Sequence, residues 1–422
     1  MTIAQVELDG ERSDSQIPKI SECEYAASYS WISKSSPTIL VPEPARLPPD
    51  SGQYFRDPNA ARHPDHPTEP AVQALLTQQP QFPTQDIDVF ACGSTMGNLL
   101  RFARRFDRTF RFNVEVVGNT VFFVRKENSP SELLQDVRGY GHTFPENYTS
   151  WEPDVKGSES HQRLVQYSFG GLKFLVRFES DGYYKQRVPG QQSKKPLRLH
   201  GENEMSNALQ DLDAFGIKSS QSSSTSNKPL QVMVAGEPIP QSSVFDIKTR
   251  WAGRPIDMGD MLPVLWVKQI SNVVLGYNDH GIFHDIREQD VQEDVKEWEE
   301  SHADELKRLV VLIHKIVEFA RAEGEGVKLE INRPPIGDDG DELEIRNQAG
   351  DGVDALPLEM KVRWIGNESP ESEAADSGAE HYEDERFNPN LSEEDASDED
   401  SFEGDYTACS AEGCGYCGRC KY

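Results

Sequence analysis

Two short stretches set the tightest limit on what this chain can fold into. In LKFLVRFESD (172–181) apolar and charged side chains alternate, and in VFDIKTRW (244–251) they alternate again. Successive side chains on a strand point to opposite faces. Phe174, Val176 and Phe178 therefore share one face, and Arg177, Glu179 and Asp181 share the other; in the second stretch Phe245, Ile247 and Trp251 form a core face opposite Asp246, Lys248 and Arg250. Both stretches read as half-buried strands of a sheet. If they are neighbours, Glu179, Asp181 and Asp246 converge as hard oxygen donors of the kind Mg²⁺ or Mn²⁺ prefers. Lys248 then lies beside them, able to orient or help deprotonate a water that attacks phosphorus. The same alternation arises on any strand with one wet face, where the charges do nothing beyond solvation.

Other segments fill in a sheet with helices on it. DIDVFACGS reads as a strand and MGNLLRFARRF as a helix with Leu99, Leu100 and Phe102 inward. FNVEVVGNTVFFVRK alternates around a Gly-Asn turn, which marks a hairpin. SPSELLQDV has a capping-type helix start, and Ser158 to Val165 reads as a short helix. VKQISNVVLGYND and GIFHDIRE read as helix to strand and then a hairpin. His302 to Ala322 is the strongest helix, with apolar residues at three- and four-residue spacing. VKLEINR and LPLEMKVRW read as closing strands. The fold class is α/β (α+β), a mixed central sheet flanked by helices.

Composition divides the chain. Hydrophobic residues are 36%, 27 residues are proline and mean hydropathy is −0.65, which suits a folded body with disordered appendages. Residues 1–35 are read as a disordered N-terminus, 36–366 as the folded domain with a polar Ser/Gln-rich insertion at 185–230, 367–406 as an acidic disordered linker and 407–422 as a Cys-rich motif. Net charge is −29. Sixteen Asp/Glu and one Arg place −15 of it in 367–406, leaving −14 elsewhere, so the body need not repel nucleic acid. No apolar run approaches the ~18–20 residues that span a bilayer, and MTIAQVELDGERSDSQ does not resemble a signal peptide. The reading is a nuclear or cytoplasmic protein, not secreted and without a membrane role, in a reducing compartment.

A Glu-x-Asp strand followed by an acid-x-Lys-Thr strand resembles the PD-(D/E)XK nuclease core, and specifically the DXO family of decapping nucleases that act on RNA 5′ ends. DVFACGSTMGNLL is similar to that family's strand-to-helix segment, and LWVKQISNVVLGYNDHGIF to its tryptophan-containing helix leading into a strand. The resemblance covers roughly residues 36–335. It implies Glu179, Asp181 and Asp246 as metal ligands, the Ile247 carbonyl as a further ligand, and Lys248 as the water-positioning base. It also implies Glu159 as the glutamate of a preceding helix and Gln269 as a polar group near the metals. The chain departs from the family in having Asp246 for the usual Glu, in the short gap from Glu159 to Glu179, and in Gly93 where the family carries an arginine. Arg101, Arg104 or Arg105 would have to substitute for that arginine.

The run Arg101, Arg104, Arg105, Arg108 and Arg111, interleaved with phenylalanines, has the composition of a phosphate-gripping, base-stacking surface, and equally that of an amphipathic helix with a solvated basic face. Cys409, Cys414, Cys417 and Cys420 can close a tetrahedral zinc site, and an iron–sulfur cluster or redox thiols are also open. The acidic segment before them, with Ser392, Ser397 and Ser401 as candidate phosphorylation sites, suits a protein partner or competition with nucleic acid for a basic groove.

The whole chain also resembles uncharacterised fungal proteins sometimes labelled geranylgeranyl pyrophosphate synthetase. That chemistry needs Asp-rich DDxxD motifs on facing helices, whereas IGDDGDE lies in a Pro/Gly loop with the wrong spacing. Two functional readings remain. One is a metal-dependent phosphodiester or pyrophosphate hydrolase acting on RNA 5′ ends or related nucleic acid. The other is a catalytically silent scaffold of the same fold that binds nucleic acid or protein.

Overall fold

The computed structural model describes residues 2–6, 18–32, 38–41, 57–126, 140, 143–152, 155, 158–188, 230–279, 282–334, 342–350 and 352–366. Its centre is the strand β4 (Val89–Cys92), apolar at every position and buried throughout. Such a continuous apolar run belongs to a strand covered on both faces. Val89 and Ala91 enter one core and Phe90 the other, and β4 runs parallel to both neighbours, β6 (Thr120–Arg125) and β8 (Leu172–Ser180).

Among the described residues the large sheet has eleven strands in the order β1-β15-β14-β5-β6-β4-β8-β7-β2-β3-β10. The remaining strands of that sheet are β1 (Thr2–Val6), β2 (Ser21–Ile32), β3 (Thr38–Val41), β5 (Phe110–Val117), β7 (Ser158–Phe169), β10 (Gln231–Val234), β14 (Leu329–Arg333) and β15 (Leu343–Asn347). A second sheet takes β13-β12-β11-β9, with β9 at Gly182–Tyr183, β11 at Val244–Trp251, β12 at Asn272–Asp279 and β13 at Ile282–Asp290. The helices are α1 (Pro58–Arg62), α2 (Glu69–Gln78), α3 (Gly93–Ala103), α4 (Thr143–Tyr148), α5 (Met258–Lys268), α6 (Gln292–Ser301), α7 (Ala303–Glu323) and α8 (Leu358–Ile365).

Residues of α3, α5, α6 and α7 fill the core on one face of the large sheet. Residues of α2 and α8 fill the other. A third, aromatic cluster of Phe144, Tyr184, Phe245, Ile247 and Val274 backs the second sheet. No helix among the described residues is long and apolar enough to cross a membrane.

Several sequence expectations need correction. The N-terminal segment taken as disordered supplies β1 and β2, and β2 lies between β7 and β3 in the large sheet. Ser158 to Val165 is not a helix but the start of the twelve-residue β7, paired with β2 on one side and β8 on the other. Its polar start looks wrong for a strand, yet His161, Gln162 and Arg163 are all buried, Arg163 donating to the Ile239 carbonyl at 2.7 Å and to Gln241 Oε1 at 3.2 Å. LPLEMKVRW alternates, yet it forms α8, where Met360 and Trp364 bury together at four-residue spacing while Leu358 is exposed. The helix start SPSELLQDV, the insertion at 189–229 and everything beyond 366 lie outside the described residues.

Candidate active site

The site forms where the two sheets meet. β8 ends at Ser180, and Asp181 lies in the link to β9, which pairs antiparallel with the start of β11, Gly182 opposite Phe245. That pairing carries Asp181 across to β11, where its Oδ2 accepts a hydrogen bond from the Ile247 N–H at 2.6 Å. The approach depends on glycine at 182: a Cβ there would meet the Phe245 ring at 2.6 Å.

Lys268 is the last residue of α5, and its Nζ donates to Asp246 Oδ1 at 2.8 Å. The helix stops there because Gln269 turns left-handed, at φ 53°. Two side chains fix that end: the Trp266 indole N–H donates to buried Glu299 at 2.8 Å, and Gln241 Nε2 donates to the carbonyls of Lys268 and Gln269 at 3.1 and 3.0 Å.

Electrostatics ties these groups together. Burial and then the Asp246 carboxylate push the Asp181 carboxyl up to about 7, against the pull of Lys268 and the Ile247 N–H. Burial also raises the Glu179 carboxyl, opposed by Lys268, Arg62, a hydrogen bond from Gln162, and Arg177. Glu179 is at the same time exposed to solvent, so it sits on the floor of a cleft rather than on a convex surface. For Lys268 burial lowers the pKa, but Asp246, Asp181 and Glu179 together hold it above the ordinary lysine value. Lys268 thus acts on all three carboxylates, with Arg62 and Arg177 adding to its effect on Glu179.

The donor chemistry fits a hard divalent cation, since carboxylate oxygens that resist sharing a desolvated space are what such an ion stabilises. As they lie, no three His, Cys, Asp or Glu side chains among the described residues stand close enough to hold one ion. Asp246 Oδ1 is engaged by Lys268, and Asp181 Oδ2 by backbone.

The model of a family described as Domain of unknown function (DUF8563) matches residues 2–333. The chain belongs to the DUF8563 family. None of the curated proteins matches it. Among solved structures, this DUF8563 chain is similar to Scheffersomyces stipitis Rai1 in complex with (3′-NADP)⁺ and calcium ion, at 11% identity and a TM-score of 0.54 over 86% of this chain and 97% of that one. Candida albicans Rai1 in complex with pU5-Mn²⁺ is similar at 9% identity and a TM-score of 0.51, over 87% and 99%. At these identities the likeness is one of fold. The DUF8563 chain has a DXO-like fold.

Of the residues singled out in the sequence, Asp181, Asp246 and Glu179 share the cleft of the DUF8563 chain. Lys248 is buried on the same face of β11 as Asp246. Ile247 meets Asp181 through its N–H. Glu159 lies on β7, not on a helix. Gln269 is a helix stop: its side chain donates to the Trp266 carbonyl at 2.5 Å, and the residue before it is the one that reaches the carboxylates. The arginine run is not one helical face. Arg101 is on α3, Arg104 is its cap, Arg105 and Arg108 lie in the connection, and Arg111 is on β5. Among its phenylalanines Phe102 and Phe112 are core, while Phe106 is 50% exposed under the Arg104 guanidinium, 4.8 Å from the ring centroid. Trp251, assigned to the core, is 47% exposed at the end of β11. Cys409, Cys414, Cys417 and Cys420 lie outside the described residues.

Sequence reasoning missed Lys268, Gln162 and Arg62, the last standing 5.6 Å over the Trp31 ring. Nothing in their local sequence marks them. They act on the carboxylates from a helix end, from a strand hidden by its polarity, and, for Arg62, through charge from a five-residue helix.

Proposed function

We propose that this chain is a divalent-metal-dependent hydrolase of phosphodiester or pyrophosphate bonds at RNA 5′ ends or in related nucleic acid. The observation that carries the reading is the Asp181–Asp246 juxtaposition across β9 and β11, with Asp181 pushed up to about 7 and Glu179 on the cleft floor beside it. Glu179, Asp181 and Asp246 would hold Mg²⁺ or Mn²⁺, with the Ile247 carbonyl as a further ligand; the bound cation supplies charge stabilisation to a phosphoryl oxygen. Lys248, next on the same face of β11, orients the attacking water. Arg62, whose charge acts on Glu179, is suited to a substrate phosphate. Support from outside the chain comes from Rai1 of the same fold, seen with pU5 and Mn²⁺ in one case and with (3′-NADP)⁺ and calcium in another.

A second reading, a catalytically silent scaffold binding nucleic acid or protein, is favoured by one observation: Lys268 already neutralises Asp246. Incubating the purified chain with capped, triphosphorylated and monophosphorylated RNA, with and without Mg²⁺ or Mn²⁺, separates the two. Hydrolysis that needs the metal and disappears in both Asp181→Ala and Lys248→Ala supports the enzyme. RNA binding without turnover on any of the three substrates supports the scaffold.

A further inference from the structure

Lys268 stands where the carboxylates need positive charge, and it stands on a fixed base. Its backbone carbonyl accepts from Gln241, and its helix is anchored through Trp266 to Glu299. The Lys268 side chain is 19% exposed, and its Nζ stands 6.0 Å from the centroid of the buried Phe178 ring.

Asp246 and Glu179 both repel the Asp181 carboxylate, which also pays for desolvation. One ammonium relieves part of that cost. The same ammonium takes Asp246 Oδ1, and it repels any second cation brought into the cluster. An entering divalent ion must therefore displace it.

Resting on the reading that Glu179, Asp181 and Asp246 hold the cation, we propose that Lys268 is a built-in counter-ion that competes with the divalent metal for Asp246 and so sets how tightly the chain binds it. The ammonium would have to leave Asp246 for a cation to take that oxygen. Lys268 is a positioning residue: it acts on the metal through Asp246.

The test is Mn²⁺ titration calorimetry on the full chain, wild type against Lys268→Met and Lys268→Gln, together with thermal unfolding in chelator. Both variants should bind Mn²⁺ on the order of tenfold more tightly, as expected from removing one like charge within hydrogen-bond distance of a ligand. Without metal both should melt below the wild type, and Mn²⁺ should restore them by more than it raises the wild type. Lys268→Gln keeps a donor for Asp246 without the charge and covers the case in which Met does not fold. Lys268→Arg should behave as wild type. Unchanged or weaker Mn²⁺ binding in a folded Lys268→Gln overturns the proposal while leaving the metal-hydrolase reading intact. If Mn²⁺ binds only once the charge is gone, Lys268 is the competitor and the wild type is the silent scaffold. If neither protein binds Mn²⁺, both ideas fall.

Discussion

Asp181 keeps its proton at a pH where an ordinary aspartate has lost it, because burial and the Asp246 carboxylate push it up to about 7. The unfolded chain loses that proton near ~3.9. Between those values the folded state binds the extra proton, so this residue makes stability fall as pH rises from about 4 through 7. Asp181→Asn abolishes the effect. In metal-free protein the variant should gain about 1–3 kcal/mol on the wild type between pH 5 and pH 8, read from urea midpoints across the range; parallel curves would mean that Asp181 titrates like a free aspartate. The neighbouring Gly182 makes a different demand. Its missing side chain leaves room for the Phe245 ring, itself held 4.8 Å from Tyr184. Gly182→Ala should destabilise by about 1–3 kcal/mol and weaken Mn²⁺ binding, since β9 can no longer bring Asp181 against β11. Calorimetry on the folded variant checks the second half of that statement.

Helix α5 delivers Lys268, and its own placement depends on one buried acid. Glu299 of α6 accepts from the Trp266 indole and from the backbone N–H of Ile20, both at 2.8 Å. Replacing Glu299 with Ala strands two donors and should cost about 2–4 kcal/mol in urea unfolding. It should also release the chain at Lys19–Ile20, seen as new proteolysis there. Loss of stability with no change in cleavage would show that Trp266 alone carries the anchor. The arginine run illustrates the same dependence on element boundaries. A helix continued through Phe112 would have aligned a basic face, but α3 ends at Ala103 and Arg105 takes φ 63°, which sends the chain into β5.

The match to DUF8563 ends at residue 333, and α8 closes the described body at Ile365. The acidic stretch and the four cysteines lie beyond both. We expect them to act apart from the cleft: deleting 367–422 should change the stability of the body by no more than about 0.5 kcal/mol and leave hydrolysis intact. Protein purified under reducing, chelator-free conditions should carry close to one zinc, or an iron–sulfur chromophore, that is lost when Cys414 and Cys417 become Ser. Elemental analysis finding no metal would assign those thiols to redox chemistry instead.

Alternation in LKFLVRFESD and VFDIKTRW was enough to identify β8 and β11 as strands, because strand parity is local; the two belong to different sheets, and it is β9 that carries Asp181 across to β11. The β5–β6 hairpin was legible for the same reason, and α7 was legible from its 3.6-residue period. What lay beyond reach depends on neighbours far along the chain. The polar start of β7 is a strand because it pairs with β2 and β8, α8 alternates but is decided by where Met360 and Trp364 can bury, and Trp251 is left exposed by where β11 ends. Lys268 and Asp246 are twenty-two residues apart in sequence and 2.8 Å apart in space. Local pattern specifies which residue types share a face; which charge stands opposite them follows only from how the helix between β11 and β12 packs back across the sheet.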